Sequence, residues 1–368
     1  MDKFVGQPQF LKEVNYNIVN RLVAEKGPIS KPQIAHITGL SLPTVNKIVY
    51  YLEDLGRIKE AGTTTGLGRK AVLYVTNGQH GNILTLSLAG NSFTCCAVNM
   101  IGEIIHRFTS EINISSYESS LADTYTAIDR LTENCNSKIV SIGIGISGIV
   151  NAEGIISNLI SPISWNGLNL QEVISQKYDV PVYIENNVHL ATIGYFDWIL
   201  KKSCNNMIYI HVGKEVSAGA ILGRKLYKGF SSFAGECGFM VTEDLEKIPQ
   251  QSVKDGGHLE NKIAHIVEGL NTTAEKEKLL QLKKELAIHI TSILINYIAV
   301  MNPEVIVLGG TVVGKEYAKL IAELVGRYIP KDAMPAIMVD SNTMSGTQGM
   351  ISWCKARQNM GYNIILDA

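Results

Sequence analysis

The chain has 368 residues, with 33 Lys and Arg against 34 Asp and Glu for a net charge of −1, and 46% hydrophobic against 18% charged residues. That length exceeds what one ordinary core supports and predicts two or three domains, while the apolar share excludes extended disorder. The longest apolar runs, such as Ile293 to Met301, are broken by Asn296 and fall short of the roughly 18–20 residues of a bilayer span, so neither a membrane helix nor a membrane partner is expected.

Met1-Asp2-Lys3-Phe4 runs into polar sequence without an apolar signal region, which predicts a cytoplasmic chain. From Gln9 to Lys26 apolar residues recur at Leu11, Val14, Ile18 and Leu22, with Val19 and Val23 beside them, one face of a helix that Gly27-Pro28 ends. A second helix begins at Ser30, with Pro32 in its first turn and Ile34 and Ile37 turned inward, and Thr38-Gly39-Leu40 makes a tight turn. In the third, Val45, Ile48, Val49 and Leu52, with Leu55 beyond, face inward, which leaves Thr44, Asn46, Lys47, Tyr50 and Tyr51 outward.

Two helices joined by a glycine turn, the second offering small polar and basic groups, form the helix-turn-helix that lays a recognition helix in the major groove. Arg57–Glu60 and Ala71–Val75 then read as strands around a glycine-rich tip carrying Arg69 and Lys70, a wing suited to phosphate contact. Residues 1–78 hold seven Lys and three Arg against six acidic residues, which is +4, so the remainder carries −5. A basic winged head of residues 1–78 on an acidic body of residues 79–368 is the expected organisation. Ser41, Pro43, Thr44, Asn46, Lys47, Tyr50, Arg69 and Lys70 are the candidate contacts to double-stranded DNA.

Beyond Gly78 apolar strands alternate with helices: Ile83–Leu88, Cys95–Asn99, Glu103–Phe108, a helix over Leu121–Glu133, and Ile139–Ile146. A second set follows at Val182–Ile184, Asn206–Ile210 and Gly219–Leu222, then a long helix over Ala274–Met301 and a strand at Val305–Gly310. The alternation predicts an α/β fold with two lobes, roughly residues 79–185 plus the C-terminal helix, and 186–350. The six cysteines, Cys95, Cys96, Cys135, Cys204, Cys237 and Cys354, form no CxxC pair and are expected to be free buried thiols.

Several segments, taken in order, resemble the ROK family of repressors and sugar kinases, specifically its winged-helix repressors of the NagC/Mlc/XylR type. They are Gly143-Ile144-Gly145-Ile146-Ser147-Gly148, Ile184-Glu185-Asn186-Asn187, Gly223–Gly229 leading into Ala234-Gly235-Glu236-Cys237-Gly238-Phe239, Gly257-His258-Leu259-Glu260, and Asn302–Gly310. The resemblance implies a two-lobed actin-like, ribonuclease H-like body whose cleft takes a sugar. It places Asn166, Asn186, Asn187, Glu236 and Glu260 at the sugar-contacting positions. For Asn186 and Asn187 a plainer role is also open, capping a helix that starts at Val188.

This sequence departs from the kinases of the family where chemistry needs support. Ser87-Leu88-Ala89-Gly90-Asn91 replaces the Asp-x-Gly-Gly-Thr phosphate loop, and Asn187 replaces the aspartate base with an amide of no useful basicity. Glu215 stands in the second phosphate loop. Phe239 replaces the histidine of the family's zinc motif and no cysteine lies between 238 and 353, so no metal and no cofactor is expected. With the winged head and the altered cleft, the resemblance implies a repressor of carbohydrate genes, a homodimer or dimer of dimers on a palindromic operator, released by a sugar in a catalytically inactive cleft. A regulator without a sugar ligand and an active sugar kinase are the competing readings.

Overall fold

The computed structural model describes residues 8–65, 70–159, 162–248 and 256–358. The head consists of α1 (Pro8–Lys26), a short β1 (Ile29–Ser30), α2 (Lys31–Thr38), α3 (Leu42–Asp54), β2 (Ile58–Thr63) and β3 (Val72–Thr76), the strands pairing antiparallel in the order β1-β3-β2. Gln33 Oε1 accepts from both the backbone N–H and the hydroxyl of Ser30 and so starts α2. Gly39, left-handed at φ 71°, ends it. Just beyond, Ser41 Oγ accepts from the Thr44 N–H and starts α3. The small core is built on Val19, Val23, Ile34, Val45 and Ile48, closed from the sheet by Tyr74. Leu11, expected to face inward, is 59% exposed because the first turns of α1 run past this core, and Ile37 and Leu55 also lie on the surface.

In the body, β4 (Asn82–Ala89), β5 (Ser92–Asn99), β6 (Ile104–Glu111), α4 (Tyr117–Glu133), β7 (Ile139–Ile146), a small β8 (Ile149–Val150) and β9 (Ile156–Ser157) hairpin, α5 (Leu170–Tyr178) and β10 (Val182–Asn186) make the first lobe. Next comes α6 (Asn187–Gly194), which continues as a π-helical turn over Tyr195–Ile199. The second lobe holds β11 (Met207–Val212), β12 (Val216–Leu222), β13 (Lys225–Tyr227), α7 (His258–Thr272), α8 (Lys276–Met301), β14 (Val305–Gly309), α9 (Lys315–Val325) and β15 (Ala336–Val339). Finally α10 (Ser345–Gln358) returns to pack on α6, β7 and β4.

The strand orders are β10-β7-β4-β5-β6 and β13-β12-β11-β14-β15. Each sheet is an antiparallel three-strand meander whose first strand also pairs, on its other side, with a parallel strand that is followed by another. One topology therefore occurs twice, the two-lobed α/β arrangement expected from the strand–helix alternation. In the first lobe Leu84, Leu86, Phe93, Ile128 and Ile144 surround Trp165, whose indole N–H is satisfied by Ser120 Oγ at 2.9 Å. In the second, Ile208, Ile210, Ile306 and Leu308 of the sheet meet Ile290 and Leu294 of α8. All six cysteines are free; five are buried and Cys135 is half-buried.

By length and composition α8 is apolar enough to cross a bilayer, which corrects the expectation based on Asn296. Asn296 does not break the helix; it lies on the exposed face, while Leu286, Ile290, Ile293, Leu294 and Ile298 fill the core of the second lobe. Such a helix is a core helix of a folded lobe.

The crossing of α6 and α10 is governed by missing side chains. A Cβ at Gly349 would strike the Leu190 carbonyl oxygen and one at Gly194 the Ser345 carbonyl oxygen, so the backbones themselves are in contact. Gly349→Ala should destabilise the protein by at least ~1–3 kcal/mol despite alanine's better helix propensity. Gly346→Ala, nearer the start of α10 with open space around its Cβ, should be neutral or stabilising by up to ~1 kcal/mol in urea unfolding.

Candidate functional site

On the head, Ser41, Pro43, Asn46, Lys47 and Tyr50 are exposed along α3 and Thr44 is half-buried. The Ser41 and Thr44 hydroxyls bond each other at 2.7 Å, which fixes both at the start of the helix. Tyr51 stacks on Tyr16 of α1 with ring centroids 4.6 Å apart, so the outward face is braced from behind. Lys70 is exposed at the root of the wing, and Arg69 lies outside the described residues.

The second candidate site is the crevice beyond the carboxyl ends of β4, β7 and β10, where open α/β sheets place ligands. Here the amides are already occupied. Asn186 Oδ1 accepts from the N–H groups of Val188 and His189 at 2.7 and 3.2 Å, and its Nδ2 donates to the Gly148 carbonyl at 2.9 Å. The residue therefore caps α6 and binds it to the β7–β8 turn. Asn187 accepts from Ser87 Oγ at 3.0 Å and donates to the Leu88 carbonyl at 2.7 Å. An ionised aspartate could not make that donation, so the amide ties the start of α6 to the first loop of the lobe. Asn166 accepts from the Leu159 N–H and donates to the carbonyls of Leu159 and Ile163, bracing its own loop.

The carboxylates come from the other lobe. Glu236 starts a 3₁₀ turn over Cys237–Phe239, and Glu260, in the first turn of α7, accepts from the Gly257 N–H at 3.3 Å and from that of Val216. Burial pushes the Glu236 carboxyl up to about 7, with Glu260 adding to the shift and His189 opposing it. Glu215, absent from the sequence-derived set, belongs to the same group. Burial, then Glu260 and Glu236, push its carboxyl up to about 7, while the Ser147 hydroxyl bonds it from the first lobe. Beside Glu236 the rings of Phe239 and Phe233 meet at a tilt, 5.2 Å between centroids.

Beneath the amides lies a buried network that sequence reasoning missed, although Glu185 sits within the Glu-Asn-Asn motif. Glu185 accepts from His189 Nδ1 at 3.0 Å and from Lys228 Nζ at 3.0 Å. A zinc centre does not fit these residues. Phe239 offers no ligand atom, His258 Nε2 pairs with Glu243 at 2.7 Å, and among the described residues no group of three His, Cys, Asp or Glu is placed to hold a metal.

The two candidate sites are linked through α6. From Asn187 in the crevice the helix runs on to Trp198, which packs so closely on Gly102 that no Cβ fits there. Just beyond, Lys202 lies 3.8 Å from both Asp197 and Glu25 of α1. At the joint the Met100 N–H donates to the Gly78 carbonyl, beside Asn77, whose Nδ2 donates to the Gly56 carbonyl within the head. Next to that joint is a cleft of about 740 Å³ lined by Lys59 and Thr76 of the head and Asn99, Ile101 and Glu103 of the body.

A winged head on a two-lobed α/β body of duplicated topology defines the class of protein. Residues 83–261, just under half of the chain, match the model of the ROK family. It is similar to the xylose repressor of Caldicellulosiruptor bescii, 27% identical over 242 residues, which are 64% of this chain and 60% of that protein. The chain thus spans about 60% of the length of this curated relative. In fold it resembles a ROK family transcriptional regulator that is a homologue of the Escherichia coli Mlc protein, with TM-score 0.76 and 20% identity over 94% of this chain and 97% of that one. It also resembles the ROK hexokinase of Thermus thermophilus, with TM-score 0.61 and 15% identity over 75% of this chain and 99% of that one.

The confined Glu236 carboxyl makes stability depend on pH. A carboxyl raised from its ordinary 4.5 to about 7 holds its proton more tightly in the folded state, so its contribution to stability is full below 4.5 and is lost as pH rises through about 7. Glu236→Gln should therefore gain stability relative to the parent protein between pH 5 and 8 in urea midpoints, and parallel profiles would show that the carboxyl is not confined.

Proposed function

We infer that this chain is a sequence-specific DNA-binding regulator of carbohydrate genes, acting as a repressor, whose grip on DNA is set by a sugar in a cleft that performs no phosphoryl transfer. The observation that carries this most is Asn187. Phosphoryl transfer to a sugar hydroxyl needs a base at that position, and an amide donating to the Leu88 carbonyl can take no proton. The cleft retains polar groups suited to hydroxyl recognition in Glu236, Glu260 and Glu215, with Phe233 and Phe239 available to an apolar sugar face. The relative's description as a xylose repressor makes pentoses the first ligands to try.

On DNA, α3 would enter the major groove with Asn46, Lys47 and Tyr50 outward while the wing follows the phosphates. A homodimer would present two heads to a palindromic operator, with half-sites one helical turn or a multiple apart, roughly 34–36 Å per turn. A sugar that favours one lobe arrangement would act on head position through α6, Trp198 and the Lys202–Glu25 contact, with ~1–3 kcal/mol of coupling sufficing for partial induction. A second reading, a regulator without a cleft ligand, is favoured by the fact that Asn166, Asn186 and Asn187 already bond protein atoms.

Lys47→Ala should weaken operator binding and reduce the slope of log affinity against log salt by about 1, as loss of one phosphate contact does. Unchanged affinity and slope would remove α3 from the DNA face. A thermal-unfolding scan against pentoses, hexoses, amino sugars and their phosphates separates the two readings. A ligand at about a hundred times its Kd stabilises by ~2.7 kcal/mol, and the gain should vanish in Glu236→Ala. No shift across the panel, with operator binding intact, would favour the regulator without ligand.

A further inference from the structure

Residues 228–236 leave the second sheet after β13 and carry Phe233 and Glu236 to the cleft. The far end of this loop is fixed to its own lobe. Gly235, left-handed at φ 105°, accepts from the Ala218 N–H at 2.7 Å, and a Cβ there would strike the Ala218 carbonyl oxygen. The near end is fixed to the other lobe. Lys228 crosses to the first lobe, where its ammonium donates to the Val150 carbonyl at 3.1 Å and to Glu185 Oε2 at 3.0 Å. The Ala234 N–H bonds the Lys228 carbonyl at 3.2 Å, so the loop closes on the residue that makes the crossing.

The acceptor of this crossing is deeply placed. Glu185 is 1% exposed, and its other oxygen takes the Asn186 N–H at 2.9 Å and His189 Nδ1 at 3.0 Å. Burial acts to raise its pKa, and His189 and Lys228 outweigh that and hold it below the ordinary carboxylate range. A buried carboxylate of this kind fixes the position of its cation, because separating them leaves an uncompensated charge in the interior. The ammonium also lies 5.9 Å from the ring centroid of Trp353 on α10.

We propose that Lys228 is a positioning residue that straps the Glu236 loop of the second lobe to the buried Glu185 under Asn186 and Asn187, and so sets the register of the two halves of the cleft. The proposal rests on the sugar-responsive function inferred above and extends it to the residue that gives the site its geometry. The strap joins the lobes at the foot of the cleft, where lobe movement would change the spacing between Glu236 and the α6 terminus.

Hydrogen–deuterium exchange on the full chain without sugar tests this independently of any ligand. In Lys228→Met, amides of residues 229–236 should exchange at least about tenfold faster, while those of α1–α3 keep their rates. Lys228→Arg, which keeps the charge, should restore protection. Should Lys228→Met fail to fold, Glu185→Gln/Lys228→Met removes both charges and should show the same local loss. Where the parent protein binds a sugar, its Kd should rise at least about tenfold in Lys228→Met and recover in Lys228→Arg, a rescue that general destabilisation would not give. Unchanged exchange at 229–236 in the folded methionine variants would overturn the strap. Loss of protection there, in a parent protein that binds no sugar, would uphold the strap and refute the sugar-responsive function.

Discussion

The architecture turns on how closely α6 can be approached. Gly145 of β7 lies under the Asn187 side chain, Gly219 of β12 under Thr192, and Gly349 of α10 against the Leu190 carbonyl, each so near that a Cβ would collide. A short helix that backbones from both lobes and the C-terminal helix can reach is held by many close contacts at once. Its N-terminus is thereby fixed in the crevice and its C-terminal continuation beside the head. Larger residues at those glycines would push the elements apart and release α6 from one lobe or the other.

The chemistry of the crevice depends on that placement. With α6 fixed, Asn186 and Asn187 satisfy backbone groups of the β7–β8 turn and of the first loop, so the side chains where a kinase would carry its base are structural. The opposing carboxyls of Glu215, Glu236 and Glu260 face one another across restricted space, and two of them are pushed up to about 7. Carboxyls held near 7 can donate and accept hydrogen bonds at neutral pH, and at Asn187 the crevice presents an amide, which takes no proton.

The outward face of α3 was legible because a 3.6-residue period separates Val45, Ile48, Val49 and Leu52 from Asn46, Lys47 and Tyr50 within one helix. The strands of both lobes were legible as apolar runs, though not the repetition of their order, since sheet order depends on pairing between distant segments. The same distance hid the buried network: Lys228 and Glu185 are far apart in sequence, and nothing local marks either as a partner. Periodicity misled at Leu11, where the helix continues past its core, and at Asn296, where one polar residue sits on the outer face of an unbroken α8. In sequence Glu215 is only a residue of the second phosphate loop, and its membership of the carboxylate group follows from the turn that brings it to Ser147.

Control of the head by occupancy of the cleft is the property on which the proposed regulator depends. Its most direct test is operator affinity, by fluorescence anisotropy at fixed salt, with and without a saturating sugar, beginning with xylose, whose binding is established in parallel by calorimetry. Affinity should fall about 5- to 150-fold on sugar binding if cleft and head are coupled. A sugar that binds the cleft and leaves operator affinity unchanged would contradict that coupling.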